Sequence, residues 1–455
     1  MPKVWYQDSE LTGTPQVSIE RKPVPEKLSP GPGMDASDVA AHQSARIHRA
    51  MIEIVADYGY GAVKVRELVH LAGVSSAAFY KHFESKEDCF LRTHDLVVRR
   101  ATRRIIASQA GEEDWQKRPR LIFDAFQGEL EDDPAAARFA LVEAYASGPV
   151  ALERARKAEA TFEMMMAQSF ARAPGGMPVP QLVVEGMTSG VARVARTRLL
   201  TGREFELPKL NEEMGDWLLC YPGLSADELG DLDLQSVWRD TRLLPLVEPS
   251  GSGQGEGWAK TGDRALILAS VAELVAANGY SSMTPSAIRR GAGASRAVFK
   301  SHFDGVEDAF IAAMELRAGE ALAQAARAQT AGRAWPGGLY RAISALCDQI
   351  AGDPLLASVC LIDNFAPGTS GARIRGQLLA MVAEQLADSA PLAEQPTALI
   401  AEASSGAVWS LFHHHVVRAL SHSAPQVAAT LAFMALAPVV GAPTAVAAIA
   451  AEQAE

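Results

Sequence analysis

Ala72-Gly73-Val74-Ser75-Ser76-Ala77-Ala78-Phe79-Tyr80-Lys81-His82-Phe83 reads as a glycine turn followed by a short capped helix. Glycine tolerates the left-handed backbone that ends a helix, and Ser75 offers a side-chain acceptor to the next helix's free N–H groups. Phe79 and Phe83 stand four apart and share one face of that helix. Upstream, Val65, Leu68 and Val69 give a preceding short helix its apolar side. Before that, Ile47, Ala50, Met51, Ile54, Val55 and Tyr58 recur at three- and four-residue spacing until Gly59, which predicts an amphipathic helix. Helix, glycine turn, capped helix is a helix-turn-helix.

The same pattern occurs again. Residues 46–95 lie on residues 266–315 at a constant offset of 220 without a gap, and sixteen of the fifty positions are identical. In the second copy Ile267, Val271, Leu274, Val275 and Asn278 mark the first helix, and Thr284-Pro285 start the next with a cap and a proline at the first helical position. The offset persists at Asp133-Pro134 over Asp353-Pro354 and at Leu141 over Leu361. It slips near the ends, with Ser189-Gly190 on Ser405-Gly406 and Leu207-Pro208 on Ala424-Pro425. A period of this size is a duplication of a whole unit rather than a solenoid.

Composition agrees with an all-α chain of several domains. At 455 residues it exceeds what one core supports, and it is 48% hydrophobic, 21% charged and only 7% aromatic. Cys89, Cys220, Cys347 and Cys360 have no paired spacing, which argues against a disulfide framework or zinc site and suits a reducing cytosol. The first thirty residues hold no apolar run of the kind a secretory signal needs. The net charge of −11 excludes a uniform nucleic-acid or membrane coat. It is unevenly spread. Residues 42–104 hold eleven Lys+Arg against seven Asp+Glu, residues 262–330 hold seven of each, and the remainder therefore carries −15.

Gly59-Tyr60, Val65-Arg66-Glu67-Leu68, Ala72-Gly73-Val74-Ser75, Phe79-Tyr80-Lys81-His82-Phe83 and Ser85-Lys86-Glu87-Asp88 together resemble the TetR family of bacterial transcriptional regulators. The resemblance implies an all-α chain of two tandem TetR-like units, each with a helix-turn-helix head and a helical ligand-binding and dimerisation domain. The expected boundaries are a disordered arm at 1–41, heads at 42–92 and 263–312, sensor domains at 93–223 and 313–455, and a linker at 224–262. Within that linker Ser225 and Glu228 have capping-box spacing for a short helix ending near Trp238, and Gly251–Gly257 reads as a flexible run.

By the same resemblance, Tyr80 and Lys86 contact DNA phosphates, while Ser76, Ala77, Lys81 and His82, flanked by Arg66 and Ser75, face the major groove or its walls. The corresponding set in the second copy is Thr284, Arg289, Ser295, Arg296, Lys300 and His302. Lys300 stands at the position of Tyr80, Val306 at that of Lys86, and Arg296 at that of Ser76. The family's last helix would be 207–222 and 424–438, so that 181–222 and 398–438 pair within one chain as a pseudo-dimer; a homodimer of tandem chains is the alternative.

The implied partners are double-stranded DNA and a small apolar ligand, with no cofactor, no metal and no membrane, in the cytoplasm at the nucleoid. Expected pocket residues are Phe123, Phe126, Met164, Met165, Met187 and Trp409. The function expected is a ligand-responsive repressor that reads an imperfect palindrome; the rival is an all-helical sensor acting through a protein partner.

Several segments invite other readings. Ala419–Ala451 lacks Asp, Glu, Lys and Arg but contains Pro425, Pro438, Gly441 and Pro443, which favours two buried helices over a membrane span. The adjacent His413-His414-His415 point about 100° apart on a helix and do not converge on one ion. Met164-Met165-Met166 suits packing, and Glu131-Asp132-Asp133-Pro134 a loop between helices. Neither a nucleophile elbow, HExxH nor a phosphate loop is present, so no residue supports catalysis.

Overall fold

The computed structural model describes residues 23–26, 36–144, 147–173, 179–222, 262–330, 335–362, 368–391, 394–417 and 427–454. Among these no strand occurs. Helix α1 (Ala36–Tyr58) begins inside the expected arm rather than at 42. No glycine or proline interrupts the chain between Gly33 and Gly59, and Asp38 in the first turn suits the positive helix end. The short α2 (Val65–Ala72) and α3 (Ser76–His82) follow. Gly73 joins them at φ 60°, and the Ser75 hydroxyl accepts from the Ala78 N–H at 3.1 Å. Helix α4 (Lys86–Ser108) runs unbroken through the expected boundary at 92, so one rod connects head and body.

The body consists of α5 (Lys117–Asp132), α6 (Pro134–Arg138), α7 (Pro149–Phe170), α8 (Gln181–Thr201) and α9 (Asn211–Leu219), of which α5 and α7 pack on α4. Helix α6 continues into a wide π-turn, Phe139–Glu143. The expected last helix at 207–222 is shorter than foreseen. Leu207-Pro208 lies in a 3-10 segment, Glu204–Leu210, because proline has no N–H to donate to the ladder, and α9 starts only at Asn211.

A second run of helices starts at residue 263. Helices α10 (Asp263–Asn278), α11 (Pro285–Ala292), α12 (Arg296–His302) and α13 (Val306–Thr330) repeat the order of α1 to α4. Gly293 is at φ 65°, and Ser295 accepts from the Val298 N–H at 3.1 Å. Thr284 caps α11 through the Ala287 N–H at 3.1 Å, whereas Lys64 gives α2 no side-chain cap. Then come α14 (Gly337–Gly352), α15 (Pro354–Ala357) with its π-turn Ser358–Ile362, α16 (Gly368–Ser389) and α17 (Ala398–Val417).

The apolar tail forms α18 (Ala428–Val440) and α19 (Ala442–Gln453), broken at Gly441 with φ 81°. Among the described residues no helix is long and apolar enough to cross a membrane. The start of the expected 424–438 helix, the Ser225–Trp238 helix and the Gly251–Gly257 run lie outside the described residues.

The two halves meet where α8 crosses α17. A Cβ on Gly190 would lie 2.7 Å from the Ala403 carbonyl oxygen, and one on Gly406 would lie 3.6 Å from the Gly190 Cα. Only glycine lets the backbones approach so closely. Around the crossing, Ser189 and Ser410 hydroxyls bond at 2.9 Å, Trp217 Nε1 donates to Ser404 at 3.2 Å, and Tyr221 donates to the Met434 carbonyl at 3.0 Å. Arg198 pairs with Glu402. Trp217 is 1% exposed, and emptying a site of that size costs about 3–5 kcal/mol.

Candidate nucleic-acid interface and cavity

Capping and aromatic packing fix α3. Phe79 and Phe83 are buried and stack at 5.5 Å between ring centroids, which turns the opposite face outward. On that face Ser76, Ala77, Tyr80 and Lys81 are exposed, as are Ser75 and, on α2, Arg66. Tyr80 is 58% exposed although its ring edge contacts Phe79. His82 is half-buried, with Nε2 3.4 Å from Gln43 Oε1 of α1. Lys86 departs from a freely projecting phosphate ligand. Its Nζ donates to the Val63 carbonyl at 3.1 Å and sits 4.4 Å from the Tyr60 ring centroid, so it also holds the α1–α2 turn.

In the second copy Arg296, Lys300 and His302 are exposed at the corresponding places. Thr284 and Ser295 are occupied as caps, Lys300 donates to the Asp304 carbonyl at 3.1 Å, and Arg289 folds back onto the Pro285 carbonyl at 3.2 Å.

Residues that join head to body were not foreseen. Arg49 of α1 donates to both Asp133 oxygens at 2.9 and 2.8 Å and pairs with Glu53. Arg100 of α4 reaches the same Asp133 at 3.3 Å and Glu129 at 2.7 Å. Burial alone would raise the Asp133 carboxyl, but Arg49 and the Ala136 N–H hold it below the ordinary range. Asp133 is thus a buried ionic junction as well as the cap of α6; it marks the boundary between helices, while Glu131 and Asp132, expected in the loop, end α5. The signal was Asp-Pro, which announces a cap but not the distant guanidinium. Asp353 also caps its helix, yet its cation is Arg317 of α13, and Ala269 stands where Arg49 would be.

Between α4, α5, α7 and α8 lies a mostly apolar cavity of about 100 Å³. Phe123 and Phe126 line it, with Ile122, Leu130, Phe162 and Met166. The methionine expectation needs correction. Consecutive helical residues diverge, so Met166 faces the cavity, Met165 lines a polar cleft with Gln109 and Arg172, and Met164 is 54% exposed. Met187 is buried in the core without lining the cavity. Trp409 lines a separate cavity of about 60 Å³ in the second half, with Leu346, Ile350 and Phe412.

His413 donates from Nδ1 to the Leu361 carbonyl at 2.5 Å, leaving Nε2 to accept from Arg156 at 2.9 Å across the two halves. The side chains of His414 and His415 lie outside the described residues, and among those described no group of three ligands is placed to hold a metal ion.

Comparison with known proteins bears on the first head. Among solved structures, the chain is similar to the transcriptional regulator FadR from Bacillus subtilis in complex with stearoyl-CoA and to the fatty acid degradation regulator FadR from Bacillus halodurans. Each is 16% identical with a TM-score of 0.36, covering 38% of this chain and 96% of the neighbour. No curated protein matches. Residues 47–93, which hold the helix-turn-helix built above, match the family model of bacterial regulatory proteins, tetR family.

Proposed function

We propose that this chain is a ligand-responsive repressor made of two tandem TetR-like units, which grips one operator with two heads of its own. The observation that carries the reading is the α8–α17 crossing at Gly190 and Gly406, which joins two capped helix-turn-helix segments within one polypeptide. Two rigidly joined heads fit two successive major grooves only at one spacing. A ligand that binds better at another spacing shifts the population away from DNA. Its site is the cavity walled by α4 and α7, and α4 carries any displacement directly to Lys86 at the head. With DNA as target, the protein's place is the cytoplasm, at the nucleoid.

Electrophoretic mobility shift with DNA from upstream of the chain's own coding sequence tests this. Wild type should retard the fragment, and Tyr80→Ala should weaken binding to all sequences alike, about three- to tenfold, as loss of one phosphate contact does. Failure of the wild type to retard any upstream fragment at low salt would favour a helical sensor that acts through a protein partner.

A further inference from the structure

The cavity between α4, α5 and α7 carries charges on its rim, but they are matched. Arg100 is paired with Glu129 and Asp133, and Glu159 accepts from Arg196 at 2.9 Å. The Thr188 hydroxyl is already bonded to the Glu185 carbonyl at 3.0 Å. His94 differs. It lines the cavity, is 2% exposed, and its Nδ1 has no hydrogen-bond partner among the described residues. Buried polar groups are mostly paired, and one left unpaired on a cavity wall calls for an explanation, of which a bound partner is one.

We infer that this cavity takes an uncharged, largely hydrocarbon molecule bearing a single hydroxyl or carbonyl group, and that His94 is the residue that selects for that group. The inference rests on the proposed sensor role of the cavity and names the ligand class. An anionic or cationic head would enter without a counter-ion, because each charge on the wall is already satisfied, and a buried unpaired charge is strongly disfavoured. A pure hydrocarbon would leave His94 as unpaired as it is now. Burial holds the imidazole below the ordinary histidine pKa, with Asp95 opposing and Arg154 adding to the effect. A neutral imidazole presents one N–H and one lone pair, so it answers a hydroxyl or a carbonyl equally.

The test uses four probes of one length on the full chain: 1-octanol, octanoate, octylammonium and n-octane, with affinities from displacement of a fluorescent apolar dye. Octanol should bind at least about tenfold more tightly than either ion, and more tightly than octane, as expected for one added hydrogen bond in a dry site. His94→Phe should abolish the preference for octanol over octane, and His94→Gln, which keeps a hydrogen-bonding group, should retain it. Ala140→Phe, which fills the cavity from the π-turn, should block octanol and octane together. If Ala140→Phe leaves octanol binding intact, or wild type binds no probe, the cavity is not the sensor site and both readings fall. If Ala140→Phe blocks binding but octanoate equals octanol, or His94→Phe leaves the octanol preference unchanged, the cavity reading stands and the ligand class is wrong.

Discussion

Glu143 of the body reaches the head at the turn after α1. Its carboxyl accepts from the Tyr60 backbone N–H, and a Cβ on Gly59 would lie 3.3 Å from its Oε2. Burial pushes its pKa up from 4.5 to about 7, and Arg138 at 3.9 Å offsets only part of that cost. The folded protein therefore holds a proton that the unfolded chain gives up. Stability should be highest below pH 4.5 as far as this group is concerned, fall as pH rises toward 7, and level off above. Glu143→Gln keeps an acceptor for Tyr60 without the charge. The variant should lose the decline between pH 5 and 7 and, at pH 8, melt several degrees above wild type, consistent with about 1–3 kcal/mol. Melting curves from pH 5 to 8 measure this; parallel profiles for the two proteins would mean that Glu143 ionises freely.

Two elements do more than fill space. The π-turn Phe139–Glu143 lines the cavity through Ala140 and Leu141 while Phe139 stacks on Phe90 of α4 at 4.6 Å. The second element pair is α8 with α17, whose crossing depends on glycine. Gly190→Val would drive side-chain atoms into the Ala403 carbonyl and the Trp217 ring, which a flexible neighbour cannot relieve. We expect a loss of about 1–3 kcal/mol or more in denaturant unfolding. Gly319→Ala, on α13 with nothing within 4 Å of its added Cβ, should instead stabilise by about 0.5–1 kcal/mol. Equal effects would show that the crossing is not tight. The helix-turn-helix elements were readable in the sequence because Gly73, Ser75, Phe79 and Phe83 impose local geometry through backbone conformation, capping and helical spacing. The junction was not, since Arg49 and Asp133 are 84 residues apart and only folding makes them partners. The cavity was less legible, since choosing Met166 over Met164 requires the rotation of α7.

At the scale of the whole molecule the two proposed heads are not equivalent. The first has its own core, with Phe79, Phe83 and Phe90 joined to the body chiefly by small alanines, Phe139 and the Arg49–Asp133 pair. Ile288, Phe299 and Phe303 of the second belong to a core continuous with both bodies. Alanine contacts bury little apolar area, so the first head is the easier to displace. In the proposed mechanism the second is the fixed reference against which it moves. If both act from one chain, light scattering should give a mass near 48.5 kDa at all concentrations. Their reading surfaces differ as well. Ser76 and Ala77 reach little beyond groove shape and thymine methyl groups, whereas Arg296 is exposed at the corresponding place and can pair with guanine in the major groove. The preferred site should then be an imperfect palindrome with a guanine preference in one half. Selection from random DNA should recover that asymmetry. Arg296→Ala should lower affinity for guanine-bearing sites by roughly 1–3 kcal/mol and erase the preference in that half alone. A symmetric motif, indifferent to Arg296→Ala, would mean that DNA is held through first heads only, by two chains rather than one.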